Sequence, residues 1–264
     1  MRPKPIATVL AVSVVLMALP AEALKKTQYP ELKVDVAESY KPDPGLATLR
    51  QALGNAIEKK DAAALFILVG PTFVWTVQSR PTDQFDMGRD ALHNFKVAFG
   101  FRAVGKDTDG GVENGPFWDA LAEITREAAY DRPEEAGNLI CGPIAASVVD
   151  EAAFDQAHKR IAIGDEEDAV WYYAIADAAV TKAPGDTGTP IGKVGRIALP
   201  VLDVYPPAVE GQQAPPATHF QVLLPSGKTG WIPASTTRLL FPDRLCYAKT
   251  KDGDWKIASY DQNE

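Results

Sequence analysis

Residues 170–240 restrict the fold more than any other part of the sequence, because they form a run of short strand-like segments. Clusters of turn-forming residues separate these segments, as in Ala183-Pro184-Gly185-Asp186 and Pro225-Ser226-Gly227-Lys228. Strands this short and this evenly spaced have open edges, which a small barrel hides. The pattern therefore predicts a small β-barrel over residues 165–240, with a stiff proline-rich surface loop at residues 205–217.

Three motifs in this segment resemble those of bacterial SH3 domains. They are Ala179-Val180-Thr181-Lys182-Ala183-Pro184, Ile191-Gly192-Lys193-Val194 and Gly227-Lys228-Thr229-Gly230-Trp231-Ile232. The chain departs from the family pattern at Lys182, where the family usually has arginine, and in a longer loop at residues 206–216. The resemblance implies an SH3-like barrel, and such modules often bind peptidoglycan or peptides.

The resemblance also suggests which side chains would contact a ligand. We expect three aromatic residues and one histidine to do so: Tyr173, Tyr205, Trp231 and His219. The competing interpretation is that these side chains fill the barrel, since Trp231 lies in a predicted strand. The chain as a whole resembles a group of uncharacterised exported proteobacterial proteins, which join a helical region to this module and end in a hairpin like Tyr247-Ala248-Lys249-Thr250-Lys251-Asp252-Gly253-Asp254-Trp255.

Residues 45–164 predict a mainly helical α/β unit. Apolar residues recur at three- and four-residue steps in several segments, which is typical of amphipathic helices. The predicted helices cover residues 46–59, 62–69, 89–99, 117–129 and 151–160. Residues 73–77 are β-branched and aromatic and predict a single strand, which lacks a partner in this half of the chain.

The last segment, residues 241–264, predicts a β-hairpin. Asp252-Gly253 is a strong two-residue turn signal between strands at residues 245–249 and 254–259. A hairpin alone is marginally stable in water and needs a surface to pack on. We therefore expect it to return to the strand at residues 73–77, which would make the barrel an insertion in the N-terminal unit. The predicted fold class is α+β.

The first 23 residues have the three parts of a secretory signal peptide. Arg2 and Lys4 precede an apolar run at residues 6–19, and Ala21-Glu22-Ala23 offers a cleavage site. The run is shorter than the roughly 20 residues that cross a bilayer. The sequence therefore predicts a periplasmic or secreted protein that begins at Leu24 and has no membrane span. Residues 24–44 are polar and proline-rich, and predict a flexible segment.

The chain has two cysteines, Cys141 and Cys246, which an oxidising compartment would favour as a disulfide. The spacing alone leaves open two separate buried thiols. A third interpretation joins Cys141 and His158 as a catalytic pair, as in secreted cell-wall peptidases that also carry bacterial SH3 domains. The residues around Cys141 and after each histidine do not match that family's motifs, and we do not favour it.

Composition and motifs exclude several functions. The net charge of −8 is repelled by phosphate backbones, so nucleic acid is not an expected partner. Val222 stands where a phosphate-binding loop would need a glycine before Gly227-Lys228. We expect no catalytic residues, cofactor or metal. The predicted function is an exported, non-enzymatic binding or accessory protein for a peptide, peptidoglycan or an envelope protein. The alternative is a cell-envelope hydrolase or small-molecule-binding protein with its site in the N-terminal half.

Overall fold

The structure is a computed structural model that describes residues 28–77, 80–81, 88–101, 114–133, 138–161, 169–209 and 215–263. Its helices are α1 (Pro44–Glu58), α2 (Ala62–Phe66), α3 (Ala91–Ala98), α4 (Gly115–Arg126) and α5 (Glu151–Arg160). The first strands are β1 (Val34–Val36), β2 (Val69–Val77), β3 (Arg80–Pro81), β4 (Ile140–Gly142), β5 (Ala146–Val148), β6 (Trp171–Ala174) and β7 (Ala178–Val180). The others are β8 (Gly192–Val194), β9 (Ala198–Tyr205), β10 (His219–Leu223), β11 (Thr229–Pro233), β12 (Thr237–Leu239), β13 (Arg244–Lys249) and β14 (Trp255–Gln262). The fold class is α+β. None of the helices in the described ranges is long and apolar enough to cross a membrane.

An aspartate fixes the start of each of α1, α2, α3 and α5. Its carboxylate accepts a hydrogen bond from a backbone N–H in the first turn, which would otherwise lack a partner. The capping residues are Asp43, Asp61, Asp90 and Asp150. The helix at residues 151–160 has the predicted bounds. The strand predicted at residues 73–77 is longer than expected, because β2 begins at Val69, and the helix predicted at residues 62–69 ends earlier, at Phe66.

The helical unit, which consists of α1 to α4 and one sheet, depends on the closing hairpin. Its strand order is β3-β2-β14-β13-β4, so β14 lies in the middle of the sheet. β14 runs parallel to β2, with Ser259 opposite Val74 and Gln262 opposite Val77. The helices cover this sheet with a largely aromatic core that includes Phe73, Phe95, Phe117, Trp118, Tyr247 and Ile257. The predicted return of the hairpin to this strand is confirmed.

The inserted module comprises β6 to β12 and lies in the chain between β4 and β13. Its main sheet has the order β11-β10-β9-β6-β12, and β7 and β8 form a separate pair. In the described residues this sheet is open, because β11 and β12 are its two ends and only a 3₁₀ turn, Ala234–Thr236, joins them. The closed barrel that the sequence predicted is therefore not present among these strands.

The described part of the predicted flexible segment, residues 28–44, is folded. Tyr29, Leu32 and Val34 are buried in a core that also contains Trp171 and Tyr173 of the module. β1 pairs with β5, and the Tyr29 hydroxyl donates to the Leu223 carbonyl at 2.8 Å. The prediction of flexibility was wrong here because these apolar residues find long-range partners. The predicted signal peptide, residues 1–23, lies outside the described residues.

A disulfide joins Cys141 to Cys246, as one of the sequence interpretations proposed. The two residues are directly opposite each other in the antiparallel β4–β13 pair. Cys141 exchanges both of its backbone hydrogen bonds with Asp131 on its other side. It therefore faces Cys246 at a non-hydrogen-bonded position, where opposite side chains are closest. The disulfide links the two chain segments that lead into and out of the inserted module, and it leaves no Cys141 thiol to act as a nucleophile.

Asp43 gives a prediction for the pH dependence of stability. Its carboxylate accepts hydrogen bonds from Lys249 Nζ, the Leu46 backbone N–H and Trp255 Nε1, and so ties α1 to the hairpin. The bond to Lys249 contributes most to lowering its pKa from 3.8 to about 2. A depressed carboxyl pKa stabilises the fold above the unfolded-state pKa, and this contribution is lost as the pH falls towards the folded-state pKa.

We therefore expect Asp43→Asn, which keeps the capping ability, to lower the Tm at pH 5 to 7. The difference in Tm from wild type should shrink as the pH falls from 4 towards 2. Thermal unfolding over this pH series measures it. A Tm difference that is the same at every pH would contradict the assigned role of the Asp43 charge.

Candidate binding face

Three of the four predicted contact residues meet on one face of the module. His219 of β10 lies opposite Tyr205 of β9, and Gln221, two residues further along β10, lies opposite Trp231 of β11. The rings of Tyr205 and Trp231 meet edge to face, with centroids 6.3 Å apart. We call Tyr205, His219, Gln221 and Trp231 the aromatic face.

Strand alternation separates this face from the module's core. Successive side chains of a strand point to opposite sides of the sheet. Phe220 and Ile232, which alternate with the residues of the aromatic face, are buried in the core beneath it. Tyr205 is 44% exposed, whereas Ile232 is fully buried. The aromatic face is therefore on the outside of the sheet, where its side chains can reach a ligand.

The three resemblance motifs come together beside this face. β7 pairs with β8, and Thr181 exchanges two backbone hydrogen bonds of 2.9 Å with Trp231. Gly230 makes this approach possible, because a Cβ atom there would lie only 2.2 Å from Val180 Cγ1. The glycine before Trp231 is thus required by the close approach of Val180 and Thr181 to β11.

The hydrogen bonds of His219 indicate a positioning role. Its Nε2 accepts from the Gly185 backbone N–H at 3.3 Å, which ties the β7–β8 loop to the sheet. Its Nδ1 lies 3.1 Å from Thr218 Oγ1, and that hydroxyl donates to the Tyr205 carbonyl at 3.1 Å. The neutral imidazole that satisfies both contacts carries its proton on Nδ1. In this arrangement His219 does not accept the proton of Thr218, so the pair is not an activated nucleophile.

Tyr173 lies apart from the aromatic face. It is on β6, only 2% exposed, and packs in the core that contains Tyr29 and Trp171. Burial is the main cause of the raised pKa of its hydroxyl. The expectation that Tyr173 contacts a ligand together with the other three residues is therefore wrong. Its place in a short strand did not reveal which side of the sheet would be covered by the N-terminal segment.

Sequence reasoning missed two members of the site. Gln221 presents an amide next to Trp231, and Gly185 holds the loop against His219. The signal for Gln221 was available, because it follows His219 by two residues in a predicted strand and must share its face. No local pattern indicated the contact of Gly185, which depends on how the loop folds back over the sheet.

A separate cavity, which we call the interdomain cleft, lies between the helical unit and the inserted module. It has a volume of about 1210 Å³. One wall is formed by α4 and the residue that follows it, with Glu123, Arg126 and Glu127. The other wall is formed by β6, β12 and the 3₁₀ turn, including Tyr172, Ser235 and Arg238. Arg238 bonds Glu127 at 2.6 Å and connects the two walls.

Comparison of the chain with protein-family models, with curated protein sequences and with solved structures gives no match. Within the described residues, no three or more histidine, cysteine or carboxylate side chains are grouped so that they could hold a metal ion.

Proposed function

We propose that this chain is an exported binding protein whose SH3-like module holds a cell-wall fragment or a peptide on the aromatic face. One observation carries the proposal. Tyr205, His219 and Trp231, from three neighbouring strands, lie on one face beside the β7–β8 loop, with Tyr205 exposed and the other two half-buried. Tyrosine and tryptophan offer large rigid surfaces with a polar tip, which suits binding to sugars and peptides in water.

The chemistry of the face favours binding over catalysis. Both ring nitrogens of His219 already contact Thr218 and Gly185, and the Thr218 proton goes to a backbone carbonyl. The other polar side chains on this side of the sheet are the Gln221 amide and, opposite it, the exposed Asp203 carboxylate, which accepts a hydrogen bond from the Val204 N–H. These groups can orient a ligand against the two aromatic rings.

Export is part of the proposal, and the disulfide supports it. Disulfides persist in oxidising compartments and are rare in the cytosol. Cys141 and Cys246 form one here, and the first described segment after the predicted cleavage site, which begins at Gln28, is folded. We expect mass spectrometry of the protein recovered from its native compartment to find an N-terminus at Leu24. A chain that retains Met1 would contradict the proposed export.

Co-sedimentation with purified peptidoglycan tests the proposed ligand class. We expect the wild-type protein to bind, and Trp231→Ala to bind about tenfold more weakly or worse, since a central aromatic contact contributes about 2 kcal/mol or more. Val149→Ala is the matched control, because Val149 is also apolar and exposed but lies outside the aromatic face. Near-ultraviolet circular dichroism confirms that each variant is folded.

The same incubation distinguishes binding of peptidoglycan from the alternative function, hydrolysis of the cell envelope. Equal retention of wild type and Trp231→Ala, or no retention of wild type, would contradict binding of peptidoglycan by the aromatic face. Release of soluble wall fragments by the wild type would support a cell-envelope hydrolase instead. If the catalytic site of that hydrolase lies in the helical unit, the Trp231→Ala variant should keep the activity.

A further inference from the structure

The interdomain cleft contains an open sheet edge. β12 is the last strand of the module's sheet, and among the described strands only β6 pairs with it. The Ile175 N–H donates to the Thr236 carbonyl, and the Leu240 N–H donates to the Trp171 carbonyl. These bonds place Leu239 at a non-hydrogen-bonded position of the antiparallel pair. Its backbone N–H and C=O therefore point away from β6, towards the open side of the sheet.

The neighbouring edge groups are already used within the chain. The Thr237 N–H donates to the Ala234 carbonyl, and the Thr237 carbonyl accepts from Arg238 Nη1 at 2.8 Å. In the part of the chain that the structure describes, the Leu239 N–H and C=O have no such partner, and Leu239 lines the cleft. The edge of β12 thus offers the Leu239 N–H as a donor and the Leu239 C=O as an acceptor, and one residue of another extended strand can pair with both.

The charges around the cleft largely neutralise one another. Glu127 pairs with Arg238, and Glu123 pairs with Arg126. The Asp243 carboxylate accepts hydrogen bonds from the Tyr260 hydroxyl and the Asn263 N–H. Burial raises the pKa of the Tyr172 hydroxyl, which therefore stays neutral. Among the described residues of the lining, both arginines are therefore paired, whereas the Asp243 carboxylate is held by neutral donors, so a strongly anionic ligand would find no unpaired cation here.

Most of the remaining lining is apolar, apart from Ser235, Thr237, Asn263 and the tyrosine hydroxyls. Apolar side chains come from both walls, among them Pro143, Ile124, Pro216, Phe220 and Phe241. A volume of about 1210 Å³ exceeds the roughly 300–1,000 Å³ of pockets that enclose small molecules. The size of the cleft, its apolar lining and the available backbone N–H and C=O of Leu239 together fit a segment of extended polypeptide.

We propose that the interdomain cleft binds an extended, largely uncharged peptide segment, whose backbone pairs with Leu239 on the edge of β12 and whose apolar side chains contact the two walls. This is the strand-addition mode of recognition, in which main-chain hydrogen bonds anchor the peptide and side-chain contacts select it. The site is separate from the aromatic face and requires both units, since α4 supplies one wall.

Selection of a displayed library of random peptides, about ten residues long, on the full disulfide-bonded chain tests this proposal. We expect enrichment of peptides that are apolar and nearly uncharged. Fluorescence anisotropy then measures the affinity of a selected peptide for wild type and variants. Ser235→Trp adds an indole to an exposed position in the cleft and should weaken binding at least tenfold. Ser226→Trp makes the same change at an exposed turn outside the cleft and should not alter binding.

Leu239→Pro tests the backbone contact itself. Because the Leu239 N–H points outwards, proline removes that donor without removing a bond to β6. We expect binding to weaken severalfold while thermal unfolding still reports a folded chain. Failure to enrich any peptide, or equal affinity for wild type and Ser235→Trp, would overturn the proposal. Peptides that lose affinity with Trp231→Ala but not with Ser235→Trp would also overturn it, and would support the aromatic face instead.

Discussion

Truncation after Leu240 should abolish the cooperative unfolding of the helical unit. The truncated chain lacks β13 and β14, and β14 is the strand between β2 and β13 in the middle of the sheet. The helices would lose core contacts with Leu245, Tyr247, Trp255, Ile257 and Tyr260. The buried residues of the module's own cores all lie at or before Leu240. Hydrogen exchange should therefore show loss of protection in α1, α3 and α4, with protection retained in β9 to β11.

A full-length variant with both cysteines replaced by serine is the control for this truncation. It loses the disulfide but keeps the hairpin, so it should retain a cooperative transition at a lower denaturant concentration. Removal of a disulfide typically costs about 2–5 kcal/mol. If the truncated chain unfolded at the same denaturant concentration as wild type, the hairpin would not belong to the helical unit.

Asp131→Ala should lower the free energy of unfolding by about 3–5 kcal/mol, because it leaves a buried charge without its partner. Asp131 is 2% exposed, and its carboxylate accepts hydrogen bonds from Arg244 Nη2 and from the Ala145 N–H at 2.6 Å. The Arg244 side chain is only 13% exposed. These residues flank the two chain segments that enter and leave the inserted module, so the loss of stability should affect both units.

Glu123→Ala is the matched control, since it also removes one carboxylate from an ion pair with arginine. The Glu123 and Arg126 side chains are 66% and 72% exposed. Solvent-exposed ion pairs contribute only about 0–1 kcal/mol. Urea denaturation of both variants compares the two environments directly. Similar small losses for Asp131→Ala and Glu123→Ala would contradict the assigned role of the buried pair.

The sequence was most informative where two local patterns each predicted an element that lacked a pairing partner. Asp252-Gly253 marked a hairpin, and the strand at residues 73–77 lacked partners. Because an isolated hairpin is marginal and an unpaired strand leaves backbone groups unsatisfied, the two had to meet. The structure pairs them through β14 and β2. The position of the two cysteines supported the same topology, since the insertion begins and ends beside them.

Contacts far apart in the chain were the main source of error. Residues 28–44 looked flexible because the segment is polar and contains three prolines. Leu32, Val34 and Val36 nevertheless alternate with charged residues, and β1 pairs with β5 more than 100 residues later in the sequence. Residues 32–36 thus alternate over a length that is typical of a half-buried strand, so this signal was present in the sequence and was outweighed by the prolines. The same strand segment covers the core that contains Tyr173, which explains why that residue is not at the surface.

The candidate site was predictable in its residues but not in its boundaries. Of the four expected contact residues, Tyr205, His219 and Trp231 lie together on one face, and Tyr173 lies apart from them. Which side of the sheet each of them faces depends on which side carries the core, and this became clear only from the burial of Phe220 and Ile232. The interdomain cleft could not be expected from sequence, because its walls come from α4 and from strands far away in the chain.

Fluorine NMR of the protein labelled with 5-fluorotryptophan tests the proposed function most directly. The chain has five tryptophans. Trp75, Trp118, Trp171 and Trp255 are at most 9% exposed, and Trp231 alone among the five is half-buried on the surface of the module. The spectrum of Trp231→Phe assigns the Trp231 resonance. On titration with soluble peptidoglycan fragments, the account predicts a saturable shift of the Trp231 resonance and little change in the other four. No shift of any resonance, or a shift confined to Trp75 and Trp118 of the helical unit, would contradict it.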